Sequence, residues 1–312
     1  MKPDWTPAFD TPDILGESPF WHPLERLLYW VDIPGCKVLR GDPASGEREA
    51  WDMPSEPGCI APVRGGGLVI ALRDGVYRAR EWGGELQLLM HFPHDPATTR
   101  FNDGKCDSLG RLWAGTLYEP KIKRAAELWC LDMRSGKPEA LLKAGNATTA
   151  NGMLWSPDET TAYWSDTPRH RIHSWHFEAA TGVLRHHRVF RQFAVKPEGW
   201  TAEAAGDFDY GGRPDGSAMD SAGRYHCAMF EGGRLLRIDA DGHHETSLSL
   251  PVMCPTMPCF GGDDLRTLFV TTGREKRPAA ELERTPWAGR VLKTRVEVPG
   301  LPVNFFDPGP AG

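Results

Sequence analysis

Six residues recur at one register of a repeated sequence unit: Glu17, Cys59, Asn102, Asn151, Asp215 and Thr256. Four of them, Glu17, Asn102, Asn151 and Asp215, bring a carboxylate or a carboxamide, and each stands just before an apolar run. A buried unpaired carboxylate is expensive, so packing alone does not select such residues there. A hard cation compensates two carboxylates at once. Carboxylate and amide oxygens suit Ca²⁺, Mg²⁺ or Mn²⁺, and Zn²⁺ or Fe²⁺ fit an open site. The register therefore predicts one divalent metal ion. Taken singly, Asn151-Gly152 and Asp215-Gly216 also read as turn dipeptides, and Glu17 as a surface acid. The shared register is what points to metal.

Arg100 lies two residues before Asn102, so in an extended strand both side chains leave the same face. It is a candidate for binding a polar or anionic substrate group, or for a salt bridge with Asp103 or another nearby acid. Other clusters say less. His170, His173 and His176 fall in a turn-and-strand segment and cannot line one helix face. The pairs His186-His187 and His243-His244 read as exposed. No G-x-S-x-G elbow is present. Cys254 and Cys259 lack a metal-site context, and Cys59 reads as channel filler.

The positions of these residues follow from a repeat. Copies begin at 17, 59, 102, 151, 215 and 256. Each has a semi-apolar run, a turn, an apolar strand and a third strand, as in ESPFW…LLYWVD…KVLRGD (17–42). Fourth-strand candidates follow most units: 47–52, 86–92, 139–143, 185–190 and 244–250. The last unit lacks one, and a segment from the N-terminus could complete it. Six units of about forty residues predict an all-β, six-bladed β-propeller, a single domain over 1–312. In such a ring the first strand of each blade lines a central channel, so the six register residues converge. The aromatic residues at 20, 21, 30, 113, 129, 155, 164 and 175 read as wedges between blades. Three long segments, 118–127, 195–213 and 274–289, read as functional or ornamental loops, with room for the chain's short helices.

Composition narrows the class. The 312 residues include 34 Gly and 27 Pro, which disfavours long helices, and 12 Trp, which disfavours disorder. A net charge of −6 without basic runs is unsuited to nucleic acid. No stretch of eighteen apolar residues predicts a membrane span, and no signal peptide is apparent at the N-terminus. Seven Cys with no C-x-x-C pair predict reduced thiols and a cytoplasmic protein.

Several segments, in order, resemble the gluconolactonase/regucalcin (senescence-marker-protein) family. They are LGESPFWHPLERLLYWVDI, RFNDGKCDSLGRLWAGT, NGMLWSPDETTAYWSDT, PDGSAMDSAGR with GGRLLRID, and CFGGDDLRTLFVTT. The resemblance runs from about Leu15 to Phe305. It implies a six-bladed propeller with one divalent ion at the channel mouth, and hydrolysis of a sugar lactone to the aldonic acid. By resemblance Glu17, Asn151 and Asp215 are the metal ligands. Asp215 is also the acid/base, and Arg100, Asn102 and Glu119 contact substrate. The run GTLYEP keeps the acid Glu119 but follows it with Pro120, the insertion before Asp215 is long, and His22 stands where Asp is frequent. The implied partner is a small-molecule lactone, with neither nucleic acid nor membrane; oligomeric state is open. The alternatives are a calcium-binding regulatory propeller without turnover, and hydrolysis of aryl esters or phosphotriesters at the same metal.

Overall fold

The computed structural model describes residues 3–201, 203 and 209–310. Part of the long segment at 195–213, namely 202 and 204–208, lies outside the described residues. The described chain forms a ring of six four-stranded antiparallel sheets, a six-bladed β-propeller with almost no helix.

The first blade holds β2 (Gly16–His22), β3 (Leu27–Asp32), β4 (Lys37–Gly41) and β5 (Arg48–Asp52). The second holds β6 (Cys59–Pro62), β7 (Leu68–Ala71), β8 (Gly75–Ala79) and β9 (Gln87–His91). The third holds β10 (Thr99–Cys106), β11 (Leu112–Tyr118), β12 (Ala126–Asp132) and β13 (Glu139–Ala147). The fourth holds β14 (Ala150–Trp155), β15 (Thr161–Asp166), β16 (Arg171–Glu178) and β17 (Val183–Gln192). The fifth holds β18 (Arg213–Met219), β19 (Tyr225–Phe230), β20 (Arg234–Ile238) and β21 (Glu245–Ser249). The sixth holds β22 (Pro255–Gly261), β23 (Thr267–Thr272) and β24 (Leu292–Arg295), and its outer strand is β1 (Thr6–Pro7).

That N-terminal strand pairs antiparallel with β24, Thr6 with Lys293 and Pro7 with Leu292. Proline has no N–H to donate, and an edge strand is where a sheet tolerates it. Trp5 fixes the approach by donating from Nε1 to the Ser249 carbonyl at 2.8 Å. Around the axis the inner strands touch in the order β2, β6, β10, β14, β18, β22 and back to β2. The segment 274–289 carries the short helix α1 (Ala279–Arg284); the 118–127 segment carries none.

Inner and second strands are buried along their length, whereas the outermost strands expose alternate or most residues. Charged residues on those edges, such as the Arg and His of β17, discourage edge-to-edge pairing. The core divides into six apolar clusters, one at each blade–blade junction. The aromatic wedges sit there as anticipated. Trp113, Trp155, Trp164 and Trp175 fill the junction between blades three and four. Trp21 and Trp30 fill that between six and one. Burying one such ring contributes roughly 4–6 kcal/mol of transfer free energy. After β24 the chain crosses one end of the ring. Gly300 bridges to Asp220 and Phe306 to Val63, and Asp307 pairs with Arg64 at 2.6 Å.

Candidate active site

Five inner strands break register beside the residue that the repeat places on the channel. The slips fall between Glu17 and Phe20, Phe101 and Gly104, Asn151 and Leu154, Pro214 and Ser217, and Pro255 and Met257. Bulges re-aim side chains at sheet ends. Blade two, with Cys59 in that position, keeps an unbroken ladder from Cys59↔Ala71 to Pro62↔Leu68. In blade one the residue after Glu17, Ser18, is left-handed with φ 49°. In blade four Gly152 has φ 60°, and a Cβ there would lie 2.6 Å from the Tyr225 hydroxyl and 2.7 Å from the Ser165 hydroxyl. Only glycine fits. Asn151-Gly152 is therefore no free turn; it lies inside β14 and aims Asn151 at the channel.

Glu17, Asn102, Asn151 and Asp215 are all buried at this level, none more than 7% exposed. The Asn102 amide donates from Nδ2 to Asn151 Oδ1 at 2.8 Å and to the Ala150 carbonyl at 2.9 Å. Asn151 Nδ2 donates to Thr167 Oγ1 at 2.7 Å, and the Asn151 amide also hydrogen-bonds the Asp215 carboxylate. Arg100 donates from Nη1 to Asn102 Oδ1 at 3.0 Å and to the Phe101 carbonyl at 2.8 Å. Its acidic neighbour is Glu119, 3.8 Å from Nε, and not Asp103. Glu119 is itself held by Arg73 at 2.9 Å, and Arg73 is paired with Glu56 at 2.7 Å. Arg100, Asn102 and Glu119 thus adjoin one another on the rim of the same opening.

Burial pushes the Asp215 carboxyl up to about 8; Asp103 adds to the rise, while Arg213, Lys121 and the Asn151 hydrogen bond oppose it. Burial also raises Glu17 well above the carboxylate range, reinforced by Asp215 and Asp103. Among the described residues neither acid is in an ion pair with a lysine or arginine. Two buried acids without a counter-charge are what a bound cation would compensate. No cluster of three or more His, Cys, Asp or Glu at ligand spacing occurs among the described residues. The Asn151 oxygen would have to be the third protein ligand. Two carboxylates and an amide oxygen fit a hard divalent cation with open positions for water or substrate.

The other two register residues have structural work. Thr256 Oγ1 donates to the Gly16 carbonyl at 2.5 Å and meets Thr271 Oγ1 at 2.8 Å, tying blade six to blade one. Cys59 is fully buried, and that burial drives its thiol pKa far above the usual value. Away from the channel, His173 Nδ1 and His187 Nε2 lie 2.9 Å apart on outer strands.

Three residues escaped the sequence reading. Asp103 is 3% exposed, and its Oδ1 has no hydrogen-bond partner. Strand alternation would turn it away from Asn102, but the bulge after Phe101 brings its charge to bear on Glu17 and Asp215. Arg213 precedes Asp215 by the offset that separates Arg100 from Asn102, a signal that was available. Lys121 lies in the irregular turn after β11, where no periodicity marks it.

The ring is shared with known proteins. The sequence pattern of the SMP-30/Gluconolactonase/LRE-like region matches residues 15–274. The chain belongs to this family. It is 40% identical over 295 residues to a 6-deoxy-6-sulfogluconolactonase of Pseudomonas putida, covering 95% of this chain and 96% of that one. It is 32% identical over 302 residues to regucalcin of Gallus gallus, covering 94% of each. The crystal structure of a calcium-binding protein, regucalcin, from Agrobacterium tumefaciens superposes with a TM-score of 0.87 at 25% identity, covering 98% of each chain.

Proposed function

We propose that the chain is a divalent-metal-dependent lactonase that opens a sugar lactone to its aldonic acid. The observation that carries this reading is the convergence of buried Glu17, Asn151 and Asp215 at one level of the channel, with Arg100 and Asn102 beside them. The lactonase named among the relatives supports the same class.

A divalent ion held by Glu17, Asn151 and Asp215 would supply Lewis-acid polarisation of the lactone carbonyl. The remaining work belongs to side chains. Arg100 and Asn102 hold the sugar hydroxyls and so fix the ring against the channel wall. Glu119, steadied by Arg73, presents an acceptor from the rim. Asp215 takes the proton of the attacking water and returns it to the ring oxygen as the leaving group. Burial lifts this carboxyl, Arg213 and Lys121 oppose the rise, and a bound cation would favour the ionised form that accepts the proton.

A calcium-binding role without turnover is the second reading, favoured by the calcium-binding description of the Agrobacterium protein. Two carboxylates are few for a tight calcium site. A pH-indicator assay over a panel of lactones, with EDTA and add-back of Ca²⁺, Zn²⁺, Mg²⁺, Mn²⁺ or Fe²⁺, separates the two. Turnover restored by one ion supports the lactonase. Calcium binding with no turnover on any lactone supports the alternative. All seven cysteines are free thiols, which supports a reducing, cytoplasmic setting.

A further inference from the structure

The protein as a whole is acidic, but the rim of this site is not. Arg213 opens β18 two residues before Asp215. Its guanidinium lies 3.2 Å from Glu231 and 5.2 Å from the Phe230 ring centroid, and its Nε is buried with no hydrogen-bond partner. Glu231 is 4% exposed and shared by three cations: Lys196 at 3.0 Å, Arg277 at 3.0 Å and Arg213. Arg277 is also held by Glu281 at 2.5 Å, so two carboxylates serve these three cations. One layer above Asn151, Thr149 also leaves a buried Oγ1 without a partner.

Lys121 stands among these groups. Its backbone is left-handed, φ 56°, in a turn closed by its own N–H to the Tyr118 carbonyl at 3.1 Å. Neighbouring backbone ties that turn to Thr149: the Tyr118 N–H reaches the Thr148 carbonyl at 3.4 Å, and Leu117 bridges Thr149. Among the described residues the Lys121 ammonium has no carboxylate at salt-bridge distance. Lys121 is an exposed residue, yet nearby protein lowers its pKa, and the like charges of Arg213, Arg100 and Lys276 lower it further, with Glu275 opposing. Arg213, Arg100 and Lys276 have carboxylate neighbours in Glu231, Glu119 and Glu275, so among the described residues Lys121 is the cation of this group left to meet an anionic ligand.

We infer that the lactone accepted here carries an anionic substituent away from its carbonyl, and that Lys121 and Arg213, with the Thr149 hydroxyl, form the subsite that holds it. The inference rests on the lactonase reading. A sulfonate, a phosphate and a carboxylate share the required chemistry: charge and acceptor oxygens for an ammonium and a guanidinium.

The test uses the metal-loaded protein and four probes: neutral gluconolactone, 6-phosphogluconolactone, 6-deoxy-6-sulfogluconolactone and a lactone of a hexuronic or hexaric acid. The expected result is a kcat/KM at least about tenfold higher for one anionic probe than for gluconolactone, a preference that weakens with added salt. The preferred probe identifies the acid. Lys121→Gln should cut the anionic-to-neutral ratio of kcat/KM about tenfold, chiefly through KM, and Lys121→Arg should restore most of it. Equal turnover of neutral and anionic lactones overturns the subsite and leaves the lactonase reading standing. An unchanged ratio in Lys121→Gln also overturns it. Turnover of none of the four probes defeats the lactonase reading, and the subsite with it.

Discussion

The same six inner strands line both ends of the channel, yet the two ends have opposite chemistry. At one end they present Glu17, Asn102, Asp103, Asn151 and Asp215, all buried, with Asn151 hydrogen-bonded to Asn102 and to Asp215. A few residues further along, the same strands line an apolar cavity of about 210 Å³ with Phe20, Ile60, Met219, Met257 and Phe260. The segment 301–304 closes that end. Most side chains on that side fill volume, and Lys105 among them donates to the Ser217 carbonyl. Those on the polar side leave carboxylates uncompensated, at a cost in folding free energy, and such a cost persists where a ligand offsets it. The bulges mark the change from one regime to the other. Where a blade has no bulge, as in the second, it contributes a buried thiol and no ligand.

If the two ends divide the labour in this way, substitutions should separate activity from stability. The largest effect is expected at Asp215. Asp215→Asn should lower kcat on a lactone by about 10²–10⁴-fold with the circular dichroism spectrum unchanged. A variant that keeps near-wild-type kcat removes Asp215 from the acid/base role. At the other end Phe260→Ala should cost about 3–5 kcal/mol in denaturant unfolding while kcat stays within about twofold, since Phe260 lines the apolar cavity and packs against the His226 ring. A large loss of kcat in the folded variant would show that the two ends are coupled.

Smaller effects should follow from the metal ligands. Glu17→Gln should weaken divalent-ion binding by about 10–100-fold in calorimetry on stripped protein. Equal affinity would mean that the ion is held elsewhere. The mildest test is of pH. In the metal-free protein Asp215 is raised from 3.8 to about 8. The folded state therefore holds a proton that the unfolded chain has released. The associated stability is complete below about pH 4 and disappears as pH rises through about 8. The melting temperature of stripped protein should fall by several degrees over that window, and added divalent ion should recover most at the alkaline end. A flat profile would contradict the uncompensated burial of this pair.

Much of the ring was legible because its physics repeats. Each blade must offer both faces to apolar neighbours, so LLYWVD, VIAL and TLFVTT read as covered strands, and the turns between them carry Gly, Asp and Ser. That an N-terminal segment could complete the last blade was legible; which residues form it was not. Thr6–Pro7 is too short for any periodicity, and only pairing with Lys293 and Leu292 defines it. Within the site, Glu17, Asn102, Asn151 and Asp215 were visible as polar residues in register. Asp103 was not, because a bulge overrides strand alternation at Phe101. Lys121 was hidden for another reason: the turn after β11 follows no repeat, and its importance lies in the charges that other blades bring to it.

The pairing of β1 with β24 sets a timetable for synthesis. The ribosome delivers Glu17 early, Asp215 two-thirds of the way through, and the partner of Thr6 only at Lys293. Until then the sixth sheet lacks its outer strand and the ring is open, so the residues at 17, 151 and 215 have no frame to hold them together. A nascent chain with five finished blades should be catalytically silent, and activity should arise in a single late step. That makes turnover a direct readout of ring closure. It also marks the Thr6–Pro7 strand as a place where a substitution that breaks its pairing with Lys293 and Leu292 should lower that turnover.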